Sequence, residues 1–333
     1  MHPNLFHFAT SELSQDAVLC WLLSWAENNH RQHYPHLHKV AKNLLDSIYQ
    51  RSGAKAPAAF SSIEIRKQDG GIDILCIINH EMAILIEDKA GMKQHSDQLA
   101  RYKEYVFKKL GFAADKVIQV YIQTGDQSDY SEVEKHGYQV LRRLDLLDIF
   151  EDEAGLAARS QSDIFRDFSD YLRQEENEVQ SYLVSPPSQW SWNAWKGFYA
   201  EVQQQLQDGN WDYVPNPAGG FLGFWWHFVG TDEYEIYLQL EQENLCFKIF
   251  VENAEKRRHL RQHWYEKIIL KCSEHGLKAR RPGRFGNGRY MTVAIMDQDY
   301  RAVDDKGIIK MAETLKTLKA AQSVMDGCMM GKR

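Results

Sequence analysis

The order of apolar and polar residues predicts an α/β protein: a mixed central sheet flanked by helices, followed by an α+β region built on an antiparallel sheet. Three observations carry this. A helical apolar period opens the chain after Thr10-Ser11. Apolar runs of strand length, at 61–89 and 116–124, alternate with helical stretches, as in a sheet covered by helices. From residue 220, three aromatic strand-like runs follow one another with no helix between them.

Taken in order, Thr10 or Ser11 caps a first helix, with Glu12 in its first turn where the helix dipole favours an acid. Its apolar positions, Leu13, Ala17, Cys20, Trp21, Leu23 and Trp25, fall largely on one side. A second helix runs from His38 to Ser52 and ends at Gly53. SSIEIRKQ (61–68) alternates and reads as a strand. GGIDILCII (70–78) and MAILIEDK (82–89) form a hairpin across the Asn79-His80-Glu81 turn. SDQLARYKEYVFKKL (96–110) is helical, capped by Ser96 and stopped by Gly111. KVIQVYIQT (116–124) suits a sheet interior. GYQVLRRLDLLDIF (137–150) is a short strand and then a turn of helix.

Asp163 to Val184 reads as a long charged helix, and Ser185-Pro186-Pro187-Ser188 breaks the pattern. Beyond it lie an aromatic helix (190–206), strands at 220–230, 234–243 and 244–252, a basic helix from Ala254 to His275, a strand at 289–297, and a helix from Lys306 to Met325. The expected division is 1–150, a helical connector at 151–187, and an α+β domain at 188–333 that binds substrate or a partner.

The 333 residues are 44% apolar and 12% aromatic, ample for a packed core, and the net charge of −6 gives no global basic field. Contact with nucleic acid would need a local patch. Cys20, Cys76, Cys246, Cys272 and Cys328 stand singly, which predicts reduced thiols and neither a disulfide scaffold nor a zinc site. The opening residues lack the features of a signal peptide, and VLCWLLSWA is too short to span a bilayer. A soluble cytoplasmic protein with no membrane partner is expected.

Within the hairpin, Asp73, Glu87 and Lys89 stand where apolar residues belong. Residues i and i+2 of a strand project to one face, so Glu87 and Lys89 share a face and Asp88 points away. The turn places Asp73 near the level of Glu87. Two adjacent carboxylates repel and raise a pKa, and a divalent cation resolves the conflict. Mg²⁺ takes one or two carboxylates plus water and a substrate phosphate. Such an ion activates water and neutralises charge on a phosphodiester, while Lys89 orients or deprotonates the water or steadies the developing charge.

The stretch resembles the PD-(D/E)XK nuclease superfamily: an Asp opening one strand (Gly71-Ile72-Asp73), then Glu-x-Lys closing the next (Glu87-Asp88-Lys89), on an α-β-β-β-α-β core. Glu12 matches the helix acid that joins the metal site in many members. Gln98-Leu-Ala-Arg-Tyr102 is similar to the Gln-x-x-x-Tyr helix of the branch that includes RecB-type and lambda-exonuclease-type nucleases. The opening NLFHFATSELSQDAVLCWLLSWA resembles bacterial superfamily proteins of uncharacterised function. Ile72 replaces the proline that names the family, as in many members. The likeness covers 1–150. It implies a restriction-endonuclease-like fold and a metal-dependent nuclease using Mg²⁺, with Mn²⁺ as a substitute. DNA is favoured over RNA as substrate. The metal ligands it implies are Asp73, Glu87, Glu12 and Asp88, the last through its carbonyl, with Gln98 and Tyr102 positioning substrate.

Each feature also has a plainer reading. Asp73, Glu87 and Lys89 can be an edge-strand ion cluster, but ILCII and MAILI are too apolar for a solvated edge. Glu12 can be a helix-start acid, and Gln98 and Tyr102 an ordinary i, i+4 pair. Lys93 and His95 suit phosphate contact or a solvated loop. His30, His33, His36 and His38 lack zinc-site spacing and read as a polar helix end and loop. Trp190, Trp192, Trp195, Trp225 and Trp226 suit base stacking or core. The arginines of RRHLRQHWYEK (257–267) and KARRPGRFGNGR (278–289) suit phosphate contact or a solvated face. Gly283, Gly286 and Gly288 form a loop, not a nucleotide fingerprint.

The leading expectation is a nuclease acting in bacterial defence or DNA processing. The alternative is a catalytically minor module that binds nucleic acid or protein on the same fold. A third expectation is a C-terminal domain that senses a ligand and gates the nuclease, or that joins a homo-oligomer or protein partner.

Overall fold

The computed structural model describes residues 3–91, 98–206, 209–216 and 219–330. The chain divides into two compact units, 1–177 and 178–333.

The first unit runs α1 (Glu12–Ser24), α2 (Pro35–Ser52), β1 (Ile63–Asp69), β2 (Ile72–Ile78), β3 (Met82–Lys89), α3 (Gln98–Lys108), β4 (Val117–Gln123), α4 (Ser131–Lys135), β5 (Gln139–Arg142), α5 (Arg143–Phe150) and α6 (Glu153–Ala158). α7 (Asp163–Gln180) follows. Its five strands lie in the order β1-β2-β3-β4-β5, with β1, β2 and β3 antiparallel and β3, β4 and β5 parallel. This is the mixed α/β sheet expected.

Strand alternation divides the sheet's side chains between two layers. Ile74, Cys76, Ile84 and Ile86 pack with α1 and α2, while Leu75, Ile77, Ala83 and Leu85 pack with Tyr102 and Val106 of α3. Phe165, Phe168 and Leu172 of α7 join the first of these cores. The stripe that α1 buries is rotated from the expected one. Gln15, Asp16, Val18, Leu19, Leu22 and Leu23 face inward, whereas Leu13 and Ala17 are exposed. Two polar residues displaced two apolar ones because the sheet offers them partners, described below.

Two turns set the hairpin register. Asn79 and His80 both take the left-handed conformation (φ 51° and 58°), and the Asn79 side chain accepts from the backbone N–H groups of Ser61 and Ser62. Gly70 and Gly71 also have positive φ, and a Cβ on Gly70 would lie 2.5 Å from the Tyr105 ring. Only glycine lets α3 settle so closely on the turn that introduces Asp73. Ser96, expected to cap α3, lies outside the described residues, and α3 ends at Lys108, before Gly111.

The second unit contains α8 (Trp192–Leu206), β6 (Asn210–Val214), β7 (Phe221–Thr231), β8 (Tyr234–Glu241), β9 (Asn244–Phe250), α9 (Arg257–Glu274), β10 (Ala279–Arg280), β11 (Tyr290–Met296) and α10 (Met311–Met330). Its strands form one antiparallel sheet in the order β10-β11-β9-β8-β7-β6. Phe224, Trp226, Leu238 and Phe247 pack with Phe198 of α8, Trp264 of α9 and Leu318 of α10, so all three helices share a core with one face of the sheet. No described helix is long and apolar enough to cross a membrane.

Candidate active site

The β2–β3 ladder closes with Ile74 opposite Ile86. One step further, Asp73 and Glu87 come level on the α3 side, and Lys89 follows on the same face. Lys89 Nζ lies 2.7 Å from Glu87 Oε1, 3.6 Å from Asp73 Oδ2 and 3.7 Å from Glu12 Oε2. Three carboxylates from α1, β2 and β3 thus surround one ammonium. Glu12 reaches the group because Ser11 caps α1 there, and its Oε1 accepts from the Ala90 backbone N–H at 3.4 Å.

Asp73 is held by hydrogen bonds to each oxygen: Gln68 Nε2 donates to Oδ1 at 3.0 Å and the Asp88 N–H donates to Oδ2 at 3.1 Å. Glu87 differs. It is 1% exposed, and neither of its oxygens accepts a well-directed hydrogen bond, the Lys89 contact being an ion pair by distance only. Burial first, and then the charge of Asp73, push its pKa up to about 7. Burial works against the Lys89 ammonium, but the short Glu87 contact and the charges of Glu87, Asp73 and Glu12 outweigh it and hold its pKa above the usual lysine range.

Asp88 faces the other layer, as strand alternation requires. Its Oδ1 accepts from Gln15 Nε2 at 2.6 Å, and Gln15 Oε1 accepts from the Thr124 hydroxyl at 2.7 Å. Its carbonyl accepts from Lys89 Nζ at 3.0 Å. Burial raises the Asp88 pKa well above the carboxylate range. Asp16, next to Gln15 on α1, is pushed up to about 6 by burial and then by Asp73, with Lys67 Nζ 3.8 Å away.

Gln98 donates to the Tyr102 hydroxyl, so these two make an i, i+4 pair on α3. The Tyr102 ring lies against Gly71, where an added Cβ would stand 3.3 Å from it. The charges of Glu87 and Asp73 act on its hydroxyl, although burial is the larger cause of its raised pKa. The pair therefore borders the carboxylate group. Lys93 and His95 lie outside the described residues.

Two residues of this neighbourhood carry no signal in the sequence. Gln123 ends β4, paired with Lys89 across the parallel ladder; it is wholly buried and neither amide atom has a hydrogen-bond partner. Arg143 is buried at the start of α5. It grips Asp126 through two contacts of 3.0 Å, donates to Glu176 Oε2 at 2.8–2.9 Å, and donates to the Thr124 carbonyl at 2.6 Å. Glutamine in an apolar strand or arginine in a helix gains meaning only from what folding places beside it.

Among the described residues, no three His, Cys, Asp or Glu side chains are gathered as a ready ion cage. The donor set nonetheless fits a hard divalent cation: Asp73 and Glu87 offer carboxylate oxygens side by side, and Glu87 is a buried charge with no directed donor. Elsewhere in the unit, His38 is buried with its ring against the Trp25 carbonyl, while His30, His33 and His36 are at least partly exposed.

In the second unit, Trp190, Trp195 and Trp226 are core, Trp192 is exposed, and Trp225 is half-buried. Arg261 is buried and donates to the carbonyls of Thr292, Gly286 and Arg284, which clamps the glycine loop. Arg280 pairs with Asp297 and Arg289 with Glu252. Arg257 donates to the carbonyls of Val251 and Glu252.

No curated protein and no solved structure gives a significant match to the chain. A family model described as the PD-(D/E)XK nuclease superfamily matches residues 3–179, just over half its length. The matched span holds the five-stranded sheet, all but the last residue of α7, and Glu12, Asp73, Glu87 and Lys89, and on that footing the chain belongs to the PD-(D/E)XK nuclease superfamily.

Proposed function

We infer that the first unit is a divalent-cation-dependent nuclease that hydrolyses phosphodiester bonds, with DNA favoured over RNA. The observation that carries this is the meeting of Asp73, Glu87 and Lys89 at the end of the hairpin, around a Glu87 carboxylate that is buried and poorly satisfied. Asp73 and Glu87 would hold Mg²⁺, or Mn²⁺ in its place, with Glu12 and the Asp88 carbonyl beside them. Bound there, such an ion would supply Lewis acidity towards a phosphoryl oxygen and would lower the pKa of a water.

The chain's own residues do the rest. Gln68 and the Asp88 amide fix the Asp73 rotamer through both oxygens. Lys89 acts as a charged donor that orients the attacking water and steadies negative charge on the phosphate. Its raised pKa favours that role over proton abstraction. Tyr102, oriented by Gln98, positions the substrate at the border of the group. The apolar strands beneath exclude water and strengthen each of these interactions. A place in bacterial defence or DNA processing accords with the family.

The test is incubation of the purified chain with plasmid, single-stranded DNA and RNA in Mg²⁺ or Mn²⁺. Cleavage is expected, and it should vanish in EDTA and in Asp73→Ala and Lys89→Ala. Cutting that persists in either variant removes the assignment.

A further inference from the structure

Within the second unit, α8, α9 and α10 pack on one face of the sheet, and no described helix of that unit packs on the other, here called the open face. On the open face the strands carry Phe221, Gly223 and Trp225 on β7, Tyr237, Gln239 and Glu241 on β8, and Lys248 on β9. A cavity of about 720 Å³ lies among them, within the size range of small-molecule sites. Phe221 and Trp225 line it from β7, and between them Gly223 lets the Val214 and Phe221 side chains close over the strand, where an added Cβ would lie only 3.0 Å from Val214 Cγ2 and 3.3 Å from Phe221 Cε2.

The walls are aromatic. Phe228 stacks on Tyr237 with centroids 5.0 Å apart and planes 17° apart, and Tyr290 lies 4.9 Å from Phe250 while remaining 66% exposed. The floor is polar and partly buried. Lys248 Nζ donates to Glu241 Oε1 at 2.7 Å and to Thr292 Oγ1 at 3.1 Å, and Gln239, 5% exposed, donates to Glu241 Oε1 at 3.2 Å. Two of the three ammonium protons are thereby used, which leaves one donor, and the Gln239 carbonyl remains as an acceptor.

Charge complementarity selects the occupant. Glu235 and Glu241 both line the cavity and disfavour a phosphate, while a cation on the floor meets the Lys248 ammonium, so neither is favoured there. A neutral planar ring with donors and acceptors on its edge matches both the compensated floor and the aromatic walls. We propose that this cavity binds a nucleobase, stacked against Trp225 and the Tyr290 side and read at its edge by Gln239 and Lys248. The source is a base of a single strand or a free nucleoside. Only the strand source rests on the nuclease reading above.

The experiment titrates the full chain in EDTA, which silences cleavage. The probes are oligo-dA and oligo-dT of roughly ten nucleotides, the site size of common single-strand binders, an abasic strand of equal length, and adenosine. Base-bearing strands should bind more tightly than the abasic strand, which keeps only the phosphodiester backbone. Trp225→Leu or Tyr290→Ala should weaken binding by about 5- to 150-fold, the range for loss of one stacked base. Tyr290→Ala should leave the melting midpoint unchanged, since the ring is mostly exposed. Adenosine binding with the same sensitivity assigns a free nucleoside; a response from strands alone assigns the strand. Equal binding of the abasic strand, no binding by any probe, or binding indifferent to both variants overturns the proposal. Cleavage of the same strands in Mg²⁺ by the wild type and Asp73→Ala judges the nuclease reading separately. Base binding without cleavage sinks that reading alone, and cleavage with variant-indifferent binding sinks this one alone.

Discussion

Glu87 Oε1 and Lys89 Nζ stand 2.7 Å apart on one face of β3, and both residues are over nine-tenths buried. The pair does not neutralise its surroundings, because Asp73 lies 3.6 Å from the same ammonium. Among the described residues one cation lies within 4 Å of all three acids, and burial raises the Glu87 pKa to about 7 despite it. The group is thus held in an electrostatic debt that a second cation would relieve.

The first prediction concerns pH. The folded chain raises Glu87 from 4.5 to about 7 and Asp16 from 3.8 to about 6, in each case by burial first and the charge of Asp73 second. Acids raised in this way bind protons more tightly folded than unfolded. Their contribution to stability is full below about pH 4 and is lost as pH rises through 6 and 7. In EDTA the melting midpoint should fall between about pH 5 and pH 8. Mg²⁺ at pH 8 should recover it by mass action. A midpoint that rises over that interval in EDTA contradicts the arrangement.

Lys89→Met should separate stability from catalysis. It takes from Glu87, beside Asp73, the ammonium 2.7 Å away, at a cost of about 3 kcal/mol above pH 7 and less near pH 5, where Glu87 carries its proton. Adding Glu87→Gln should restore most of the stability. Cleavage should stay at least roughly 10²-fold down in both variants, as for loss of a charge-stabilising donor. Recovery of cutting together with stability would show that Lys89 only holds the fold.

Arg143→Met tests how the end of β4 is anchored to α7. The guanidinium satisfies Asp126, Glu176 and the Thr124 carbonyl at once, and Glu176 is buried. Its removal takes from the buried Glu176 its contact with the guanidinium and should cost about 3 kcal/mol. Chemical denaturation should show this as a lower midpoint with an unchanged slope.

How far such features can be read from sequence depends on whether their cause is local. The hairpin was legible because charges interrupt two apolar runs, and the opposite projection of Asp88 follows from strand period alone. The six-residue α6 and the strand NWDYV (210–214) were not legible, since neither is long enough to show a period. The buried stripe of α1 was misread for a different reason. Leu13 looks like core and Gln15 like surface until Asp88 and Thr124 are placed opposite Gln15. Trp225 and Trp226 are adjacent, so one had to face the core and the other the open side, but the sequence does not say which.

Gln123 supports the sharpest prediction. Its amide is fully buried beside Lys89 with neither nitrogen nor oxygen satisfied, an arrangement that costs about 1–3 kcal/mol. A purely structural residue at the end of an apolar strand would do better as leucine. Gln123→Leu should therefore fold normally and gain about 1 kcal/mol, with no change in the pH profile of stability. If the amide awaits a substrate oxygen or a bound water, the same variant should raise KM or lower Mg²⁺ affinity by roughly 5- to 10-fold, the value of one neutral hydrogen bond. Gln123→Glu, which adds a fourth acid beside Lys89, should weaken the fold above pH 7 and tighten divalent-ion binding in calorimetry. A Gln123→Leu variant that is both less stable and equally active would assign the amide to packing and leave its missing partners without a catalytic explanation.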